Sequence, residues 1–339
     1  MGKFKRIAIA NRGEVAVRII YACEELGIET VLLHSEVDVN TRAYRMATKK
    51  ICIGPAPTAQ SYLNIEANIN GALAGGAEAI HPGFGFLSEN ADFAEACERA
   101  GIIFIGPSPR SMRTLGDKVS CKNLAKKLSL PLVPGYEGED QSINNLIIEA
   151  EKIGFPVIVK AAAGGGGRGM KVLKSKDDAK ELIESAQREG QSAFGSPKVF
   201  LEKYLDHAKH IEFQIFGDCT GRVIHLFDRE CSVQRRHQKI IEESLSPSLT
   251  PDLRRQMGEM ATMLASHANY RGAGTVEFIV DGTGALRANA FWFIEMNTRL
   301  QVEHPVTEAV TGLDLVAWQF RVAAGEMLPL TQSQVRFDG

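Results

Sequence analysis

Short apolar strands alternate with amphipathic helices over residues 1–115, and this alternation limits the fold more than any other feature of the chain. The predicted strands are residues 6–10, 30–34, 77–80 and 102–105. The predicted helices are residues 14–26, 65–74 and 91–100. Because strand–helix–strand units place their strands parallel, the pattern predicts a parallel sheet covered by helices. The turn after the first strand lacks the Gly-x-Gly-x-x-Gly motif, which disfavours an NAD-binding domain.

The remaining chain mixes helices and strands less regularly. Its predicted helices are residues 111–128, 144–153, 177–190 and 251–269. Its predicted strands are residues 156–160, 170–173, 198–204, 210–216, 222–227, 274–280 and 290–294. The helix at 111–128 links two regions, because the loop through Pro131, Pro134 and Gly135 that follows is typical of a domain boundary.

Residues 295–304 carry polar side chains in strict alternation directly after the apolar strand at 290–294. If the chain remains extended, every second side chain shares a face. One face then carries Glu295, Asn297, Arg299, Gln301 and Glu303, and the other carries Met296, Thr298, Leu300 and Val302. Carboxylate and amide oxygens suit Mg²⁺, and arginine suits a planar oxyanion. Taken alone, the run also fits a solvated edge strand.

A second acidic residue, Glu277, lies within the predicted buried strand at 274–280, and a hairpin leads from there back to Glu295. Two carboxylates on adjacent antiparallel strands can share a divalent cation. The loop at 81–90 follows a strand end, where α/β sheets bind ligands, although a tight turn capping the helix from Asn90 explains it equally well. The polar segment at 228–239 fits either a salt-bridged surface or a site.

Glycine fills positions 164–167 and 169, between a strand that ends in Lys160 and the strand at 170–173. Without Cβ atoms, backbone N–H groups can approach a phosphate chain closely. The lysine precedes the glycines and no helix follows them, so the stretch is not a P-loop. We interpret it as a mobile cover over phosphates rather than a flexible linker.

Composition excludes several classes of function. The chain is 44% hydrophobic and 24% charged with a formal net charge of −2, so nothing favours binding to nucleic acid or to a membrane surface. Its 6 cysteines are scattered without a Cys-x-x-Cys pair, which predicts reduced thiols rather than disulfides or a zinc site. No secretory segment and no apolar run of about 20 residues is present. The expected location is the cytoplasm, or the mitochondrial matrix of a eukaryote.

In this order, the motifs at 9–14, 81–90, 164–170, 234–239 and 295–306 resemble the biotin carboxylase family of ATP-grasp enzymes. The resemblance covers essentially the whole chain. It implies an α/β fold with a Rossmann-like N-terminal domain at 1–115 and a linking helix and loop at 116–135. An ATP-grasp lid subdomain at 136–204 and a mixed-sheet catalytic core at 205–339 would follow, the core being incomplete at its C-terminus.

The resemblance also implies a role for individual residues. Lys118 and Lys160 would bind ATP phosphates under a lid containing Gly165, Gly166 and Gly167. The remaining nucleotide-site residues would be Glu202, Lys203, Leu205, His210, Gln234 and His237. Glu277, Glu295 and Asn297 would hold Mg²⁺ or Mn²⁺. Bicarbonate would bind Lys239, Arg299, Gln301 and Val302, and Glu303 would be the general base.

The family's reaction uses Mg-ATP to activate bicarbonate as carboxyphosphate and then carboxylates biotin on a carrier domain or protein. The expected partners are that carrier, a carboxyltransferase subunit and further copies of the chain. No Met-Lys-Met acceptor segment is present, so biotin must come from elsewhere. The stretches at 53–57 and 135–141 are most similar to 3-methylcrotonyl-CoA carboxylases. Acetyl-, propionyl- and geranyl-CoA, pyruvate and urea carboxylases share the module.

Some positions depart from the family pattern. Glu277 and Glu295 are further apart than usual, which predicts an inserted hairpin at 282–289, and Phe84 replaces a usual tyrosine. Ser244-Leu245-Ser246 replaces Ala-Pro-Ala. The chain is expected to stop before the family's biotin-enolate arginine and dimer contacts. Two other functions stay open: an ATP-grasp ligase that activates a different carboxylic acid, and a nucleotide-binding regulatory module without turnover.

Overall fold

The computed structural model describes residues 4–161, 170–235, 238–282 and 290–338. These residues form two compact units. One unit contains the described parts of Met1–Leu130, Lys209–Val280 and Leu286–Gly339, and the other contains those of Pro131–Ala208 and Asp281–Ala285. Among the described helices, none is long and apolar enough to cross a membrane.

The N-terminal part of the first unit is a parallel sheet. Its strands are β1 (Arg6–Ile9), β2 (Glu29–Ser35), β3 (Lys49–Gly54), β4 (Ala79–His81) and β5 (Ile103–Phe104). They lie in the order β3-β2-β1-β4-β5, and every pair is parallel. The helices beside them are α1 (Gly13–Glu25), α2 (Arg42–Met46), α3 (Ile65–Gly75) and α4 (Ala91–Arg99). The predicted parallel sheet is confirmed, and β3, a mostly exposed edge strand that we did not predict, extends it.

Both faces of this sheet are buried, as the apolar character of its strands requires. Ile7 and Ile9 of β1 point into a core that includes α1 and the helix at Leu315–Ala323. Ala8 and Ala10 point into a second core with α3 and α4. Because the strands are parallel, their carboxyl ends and the loops that follow them lie at one edge of the sheet.

The predicted linking helix at 111–128 is wrong in one respect, because it is two helices. They are α5 (Pro109–Leu115) and α6 (Lys118–Lys127). The break lies at Gly116 and Asp117, where the Asp117 carboxylate accepts a hydrogen bond from the Ser120 N–H at 2.8 Å and caps α6. Aspartate competes in this way for backbone donors and favours helix starts over helix interiors. The break places Lys118 in the first turn of α6.

The second unit is a small antiparallel sheet covered by two helices. Its elements are β6 (Gly135–Tyr136), α7 (Ile143–Ile153), β7 (Val157–Ala161), β8 (Lys171–Leu173), α8 (Lys176–Phe194) and β9 (Val199–Lys203). The strands lie in the order β6-β9-β7-β8. Alternate residues Val157 and Val159 of β7 pack against Leu146 of α7 and Ile183 of α8. The predicted glycine-rich cover at 164–169 lies outside the described residues.

A third sheet returns to the first unit and carries most of the predicted site. Its strands are β10 (Ala208–Gly217), β11 (Val223–Arg235), β12 (Gln238–Glu243), β13 (Gly272–Asp281) and β14 (Phe291–Asn297), in the order β12-β11-β10-β13-β14. The helices are α9 (Pro251–His267), α10 (His304–Thr311) and α11 (Leu315–Ala323). The polar segment at 228–239 thus belongs largely to the β11–β12 hairpin.

The extended run predicted for residues 295–303 is wrong beyond Asn297, where β14 ends. Glu303 has φ −83° and ψ 8°, which is not a strand conformation, and it precedes α10. Thr298 and Leu300 are fully buried, whereas the Val302 side chain is exposed. The chain leaves the sheet because the Glu89 carboxylate accepts the Thr298 N–H at 3.1 Å, replacing a strand partner. The polar side chains therefore converge through a turn rather than along a strand.

Candidate active site

A single lysine lies among three carboxylates at the centre of the third sheet. The ammonium group of Lys239, on β12, donates to Glu303 at 2.6 Å, to Glu277 at 3.2 Å and also to Glu212. All three carboxylates belong to buried residues. Burial by itself lowers the pKa of Lys239, but the three negative charges outweigh it and raise that pKa. Lys239 is therefore a permanently charged donor held over the sheet.

Glu212 is held on its other side by a fully buried arginine. Arg229 of β11 forms an ion pair with Glu212 at 2.6 Å and donates to Gln214 and Thr307 at 2.9 and 2.8 Å. Burial raises the pKa of Glu212, but the positive charges of Arg229 and Lys239 outweigh it and lower that pKa. Because Thr307 belongs to α10, Arg229 also ties the sheet to the helix that follows Glu303.

Glu277 accepts hydrogen bonds from every side. His210 donates to it at 2.8 Å, Asn297 at 2.6 Å and Gln301 at 3.2 Å, in addition to Lys239. Burial raises the pKa of Glu277, but the His210 hydrogen bond and the Lys239 charge outweigh it and bring that pKa to about 2. Glu277 is thus a carboxylate at any physiological pH.

The predicted cation ligands share one face of a strand pair. Glu277 of β13 and Glu295 of β14 are direct cross-strand partners, and Asn297 lies two residues further along β14. Their oxygens form a hard donor set that fits Mg²⁺ or Mn²⁺. In the structure these oxygens accept from positive or polar groups, including Lys118, whose Nζ lies 3.1 Å from Glu295. The residues present therefore fit a divalent cation.

Arg299 is oriented by a residue that the sequence analysis did not select. Its Nε donates to Glu89 at 2.9 Å, and Glu89 belongs to the loop after β4. The two terminal nitrogens donate to Asn297 at 3.2 Å and to Gln301 at 3.4 Å. The Val302 side chain is apolar and exposed, so Val302 can contribute to an anion pocket only through its backbone. Lys239, Arg299 and Gln301 thus form one connected group of donors around Glu277.

Two predicted nucleotide-site residues join the same network. Gln234 donates to Nδ1 of His210 at 2.9 Å, which leaves Nε2–H of His210 to donate to Glu277. His237 lies outside the described residues. A cavity of about 430 Å³ lies beside the predicted cation ligands and is lined in part by Glu89, Lys118, Glu295 and Asn297.

Four further nucleotide-site residues, Lys160, Glu202, Lys203 and Leu205, lie in the second unit. Lys160 on β7 forms an ion pair with Glu202 on the neighbouring strand β9. The ammonium group of Lys203 instead donates to the carbonyl oxygens of Gly154 and Phe155 at 2.7 and 2.9 Å, which holds this side chain against the loop before β7. Leu205 is half-buried. Gly165, Gly166 and Gly167 lie outside the described residues.

Glu212, Arg229 and Glu89 are the members of the site that sequence reasoning missed. Glu212 stands two residues after His210 in an alternating strand, a signal that could have placed it on the same face. For Arg229, the only signal in the sequence was a positive charge within the polar segment at 228–239. The pairing of Glu89 with Arg299 spans 210 positions and left no local signal.

Two families match the chain. The biotin carboxylase N-terminal domain matches residues 3–112. The ATP-binding domain of the carbamoyl-phosphate synthase L chain matches residues 117–331. Together these matches cover both the parallel sheet and the region that carries the site.

Individual relatives agree with these families. The chain is 51% identical over 337 residues to a biotin carboxylase of a Nostoc species, covering 99% of this chain and 74% of that protein. It is 49% identical over 338 residues to the alpha subunit of rat mitochondrial methylcrotonoyl-CoA carboxylase, covering 100% of this chain and 47% of the rat protein. The chain thus spans about half the length of the methylcrotonoyl-CoA carboxylase subunits it matches.

A solved structure shows the same fold. The biotin carboxylase domain of 2-oxoglutarate carboxylase from Hydrogenobacter thermophilus, crystallised with MgADP, ADP and bicarbonate, superposes with a TM-score of 0.87 at 47% identity. The match covers 100% of this chain and 74% of that domain's chain. The predicted α/β ATP-grasp fold is confirmed, and the chain belongs to the biotin carboxylase family of ATP-grasp ligases.

Proposed function

We propose that the chain catalyses the ATP- and bicarbonate-dependent carboxylation of biotin held on a carrier domain or protein, with carboxyphosphate as the intermediate. The observation that carries this proposal is the convergence of Lys239, Arg299, Gln301 and Glu303 beside Glu277. Three donors of this kind suit a small planar oxyanion, and the adjacent carboxylate can take its proton.

Bicarbonate would bind to the cations and amide of this group, with its reacting oxygen towards the γ-phosphorus of ATP. As that oxygen attacks, the bicarbonate proton passes to the Glu303 carboxylate, the bond from phosphorus to ADP breaks, and carboxyphosphate forms. Glu303 already bonds to Lys239 at 2.6 Å, so the ammonium group holds the base in place. Phosphoryl transfer of this type depends on alignment and charge neutralisation.

A divalent cation would be held by Glu277, Glu295 and Asn297, whose oxygens face the same side of β13 and β14. When bound, such a cation neutralises the charge that develops on the transferring phosphoryl group. The Lys118 side chain is 80% exposed and lies beside Glu295, where it can reorient to bind the ATP phosphates. Lys160 carries a second positive charge, on β7 of the other unit.

The nucleotide would also contact Glu202, Lys203, Leu205, His210, Gln234 and His237, by the family resemblance. Residues 136–204, with Gly165, Gly166 and Gly167, would act as the lid; residues 1–115 would form the N-terminal domain, and 205–339 the catalytic core. The hydrogen bonds from Gln234 to His210 and from His210 to Glu277 support a link between nucleotide and cation sites.

The final carboxyl acceptor would be 3-methylcrotonyl-CoA, reached through a biotin carrier and a carboxyltransferase subunit, with the protein as a homo-oligomer. The rat relative supports this choice, since its name gives methylcrotonoyl-CoA carboxylase. Relatives named simply biotin carboxylase match at similar identity, so the acceptor must be tested on the assembled enzyme. The location would be the cytoplasm or the mitochondrial matrix.

The decisive experiment measures ADP release from Mg-ATP with and without bicarbonate and free biotin. We expect release to require bicarbonate and to increase with biotin. Release that requires bicarbonate but ignores biotin would support the nucleotide and bicarbonate sites and reject a formed biotin site in this chain. No response to bicarbonate, in this chain and in one extended to the length of the bacterial relatives, would overturn the proposal.

The same assay separates the two other functions. The match to the ATP-binding domain of carbamoyl-phosphate synthase makes a ligase acting on another carboxylic acid the second candidate. That enzyme would release ADP in response to its own acid and would ignore biotin. A regulatory module would bind Mg-ATP without releasing ADP under any of these conditions.

A further inference from the structure

His304 is a fully buried histidine that the proposed chemistry does not use. It is the first residue of α10 and follows the proposed base Glu303. Its Nδ1 lies 2.7 Å from the carbonyl oxygen of Gln301, and its backbone N–H approaches the same oxygen at 3.4 Å. One carbonyl thus receives two donors from one residue, which closes the turn from Gln301 to His304.

The hydrogen bond sets the tautomer of the ring. A carbonyl oxygen only accepts, so Nδ1 must carry the proton. Among the described atoms, Nε2 of His304 is buried and has no hydrogen-bond partner; the carboxylate of Glu308 is 3.9 Å away. Burial lowers the pKa of His304 to about 4, in agreement with a neutral ring.

The turn that His304 closes contains two proposed active-site residues. The Gln301 side chain donates to Glu277 at 3.2 Å and accepts from Arg299 at 3.4 Å. Glu303 bonds to Lys239 at 2.6 Å. Without the donor at Nδ1, the Gln301 carbonyl would keep only the longer 3.4 Å contact with the backbone N–H of residue 304, and the turn that places both side chains would be held less firmly.

We propose that His304 is a positioning residue for the reaction, and that the hydrogen bond from its Nδ1–H to the Gln301 carbonyl sets Gln301 and Glu303 in register with bicarbonate. The inference deepens the proposed function and rests on it. It predicts that the donor at Nδ1, rather than ring volume or charge, carries the effect.

The tautomer can be measured on the unaltered protein. ¹⁵N spectra of the histidine rings, with the His304 signals assigned by their loss in His304→Gln, should show a protonated Nδ1 and an unprotonated Nε2 between pH 6 and 8. A proton on Nε2 would overturn the proposal. This measurement requires no turnover, so it separates failure of the inference from failure of the proposed function.

Three variants test the role in turnover. Asparagine places an N–H close to the position of Nδ1, glutamine places one close to Nε2, and leucine provides none. We expect bicarbonate-dependent ADP release to fall roughly 5- to 100-fold in His304→Leu and His304→Gln, because a buried carbonyl loses the shorter of its two donors, and to be largely restored in His304→Asn. Mg-ATP affinity should stay within about twofold in all three, because His304 is not among the proposed nucleotide or cation ligands.

The outcomes are distinct. Equal activity in His304→Asn and His304→Leu would overturn the proposal, as would equal loss of Mg-ATP affinity and turnover, which indicates general unfolding. If the leucine variant fails to fold, the comparison of His304→Asn with His304→Gln decides in the same way.

Discussion

Two lysines that the family resemblance places near anions lie in opposite surroundings. Lys239 is 19% exposed at its side chain and bonds to three buried carboxylates. Lys160, in the other unit, is 36% exposed, and among the described residues the ion pair it forms is with Glu202. The first group is arranged by the packing of a sheet against α10 before any ligand arrives. The second is an ion pair between neighbouring strands, and its lysine is partly open to solvent.

The difference shows where folding stability depends on buried charges. Around Lys239, removing one charge leaves others buried without compensation, so chemistry and folding stability depend on the same residues. Around Lys160, solvent screens the pair, and its loss should affect ligand binding more than folding. The following predictions test this contrast, from the largest expected effect to the smallest.

Glu303→Gln should lower bicarbonate-dependent turnover by roughly 10²- to 10⁴-fold, because an amide cannot accept the bicarbonate proton. Mg-ATP affinity should hardly change. Turnover is measured as ADP release and affinity by calorimetry. Glu326→Gln, on the surface after α11, is the control and should match the unaltered chain. Equal loss of affinity and turnover in Glu303→Gln would argue against a role as base.

Arg229→Met should destabilise the chain by about 3–5 kcal/mol, because it leaves the buried Glu212 carboxylate without its main partner. Urea unfolding measures the change. Arg255→Met is the matched control: this arginine pairs with Asp252 and Glu259 on the exposed face of α9, and its loss should have a much smaller effect. Similar effects in both variants would remove the distinction between buried and exposed pairs.

Stability should fall as the pH drops from about 6.5 towards 4, because burial lowers the pKa of His81, His225 and His304 to about 4. In the unfolded chain these histidines bind protons near pH 6.5, whereas in the folded chain they bind them only near pH 4. The slope approaches about 1.4 kcal/mol per pH unit for each histidine. Urea unfolding at pH 7, 6 and 5 measures this slope, and His225→Gln should remove the contribution of one histidine to it. A flat profile would mean that these rings are not held neutral.

Glu295→Gln should weaken Mg-ATP binding by about tenfold or more while changing nucleotide binding without metal much less, since it removes one charged oxygen from the cation set. Calorimetric titration with and without Mg²⁺ separates the two. Glu259→Gln, an exposed glutamate of α9, is the control. Unchanged Mg-ATP affinity would exclude Glu295 from the ligands.

Lys160→Gln should reduce the free energy of unfolding by at most about 1 kcal/mol, because its pair with Glu202 is partly solvated. Urea unfolding measures this loss, and Lys152→Gln, which removes an exposed pair with Glu149 on α7, provides the scale. A loss comparable to that of Arg229→Met would show that the second unit also depends on a buried charge.

Much of the fold could be predicted because its elements repeat locally. The strands and helices of residues 1–115 follow periods of two and 3.6 residues, which depend only on near neighbours. The failures come from individual side-chain hydrogen bonds and from an exposed strand, which periodicity does not report. Asp117 caps a helix in the middle of an apolar pattern, and the Glu89 carboxylate draws residue 298 out of the strand. The edge strand β3 is too exposed to show an alternation.

The sequence by itself determined which residue types are available: an oxygen-rich set at 277, 295 and 297, an arginine at 299 and a carboxylate at 303. Only the tertiary structure decided their partners. Lys239 and Glu303 are 64 positions apart in the sequence, Arg18 and Glu308 are 290 apart, and Glu89 and Arg299 are 210 apart. Strand order and helix packing bring the two residues of each pair into contact. A side chain's chemistry is local, but its pKa, tautomer and orientation depend on charges and carbonyls that other elements bring to it.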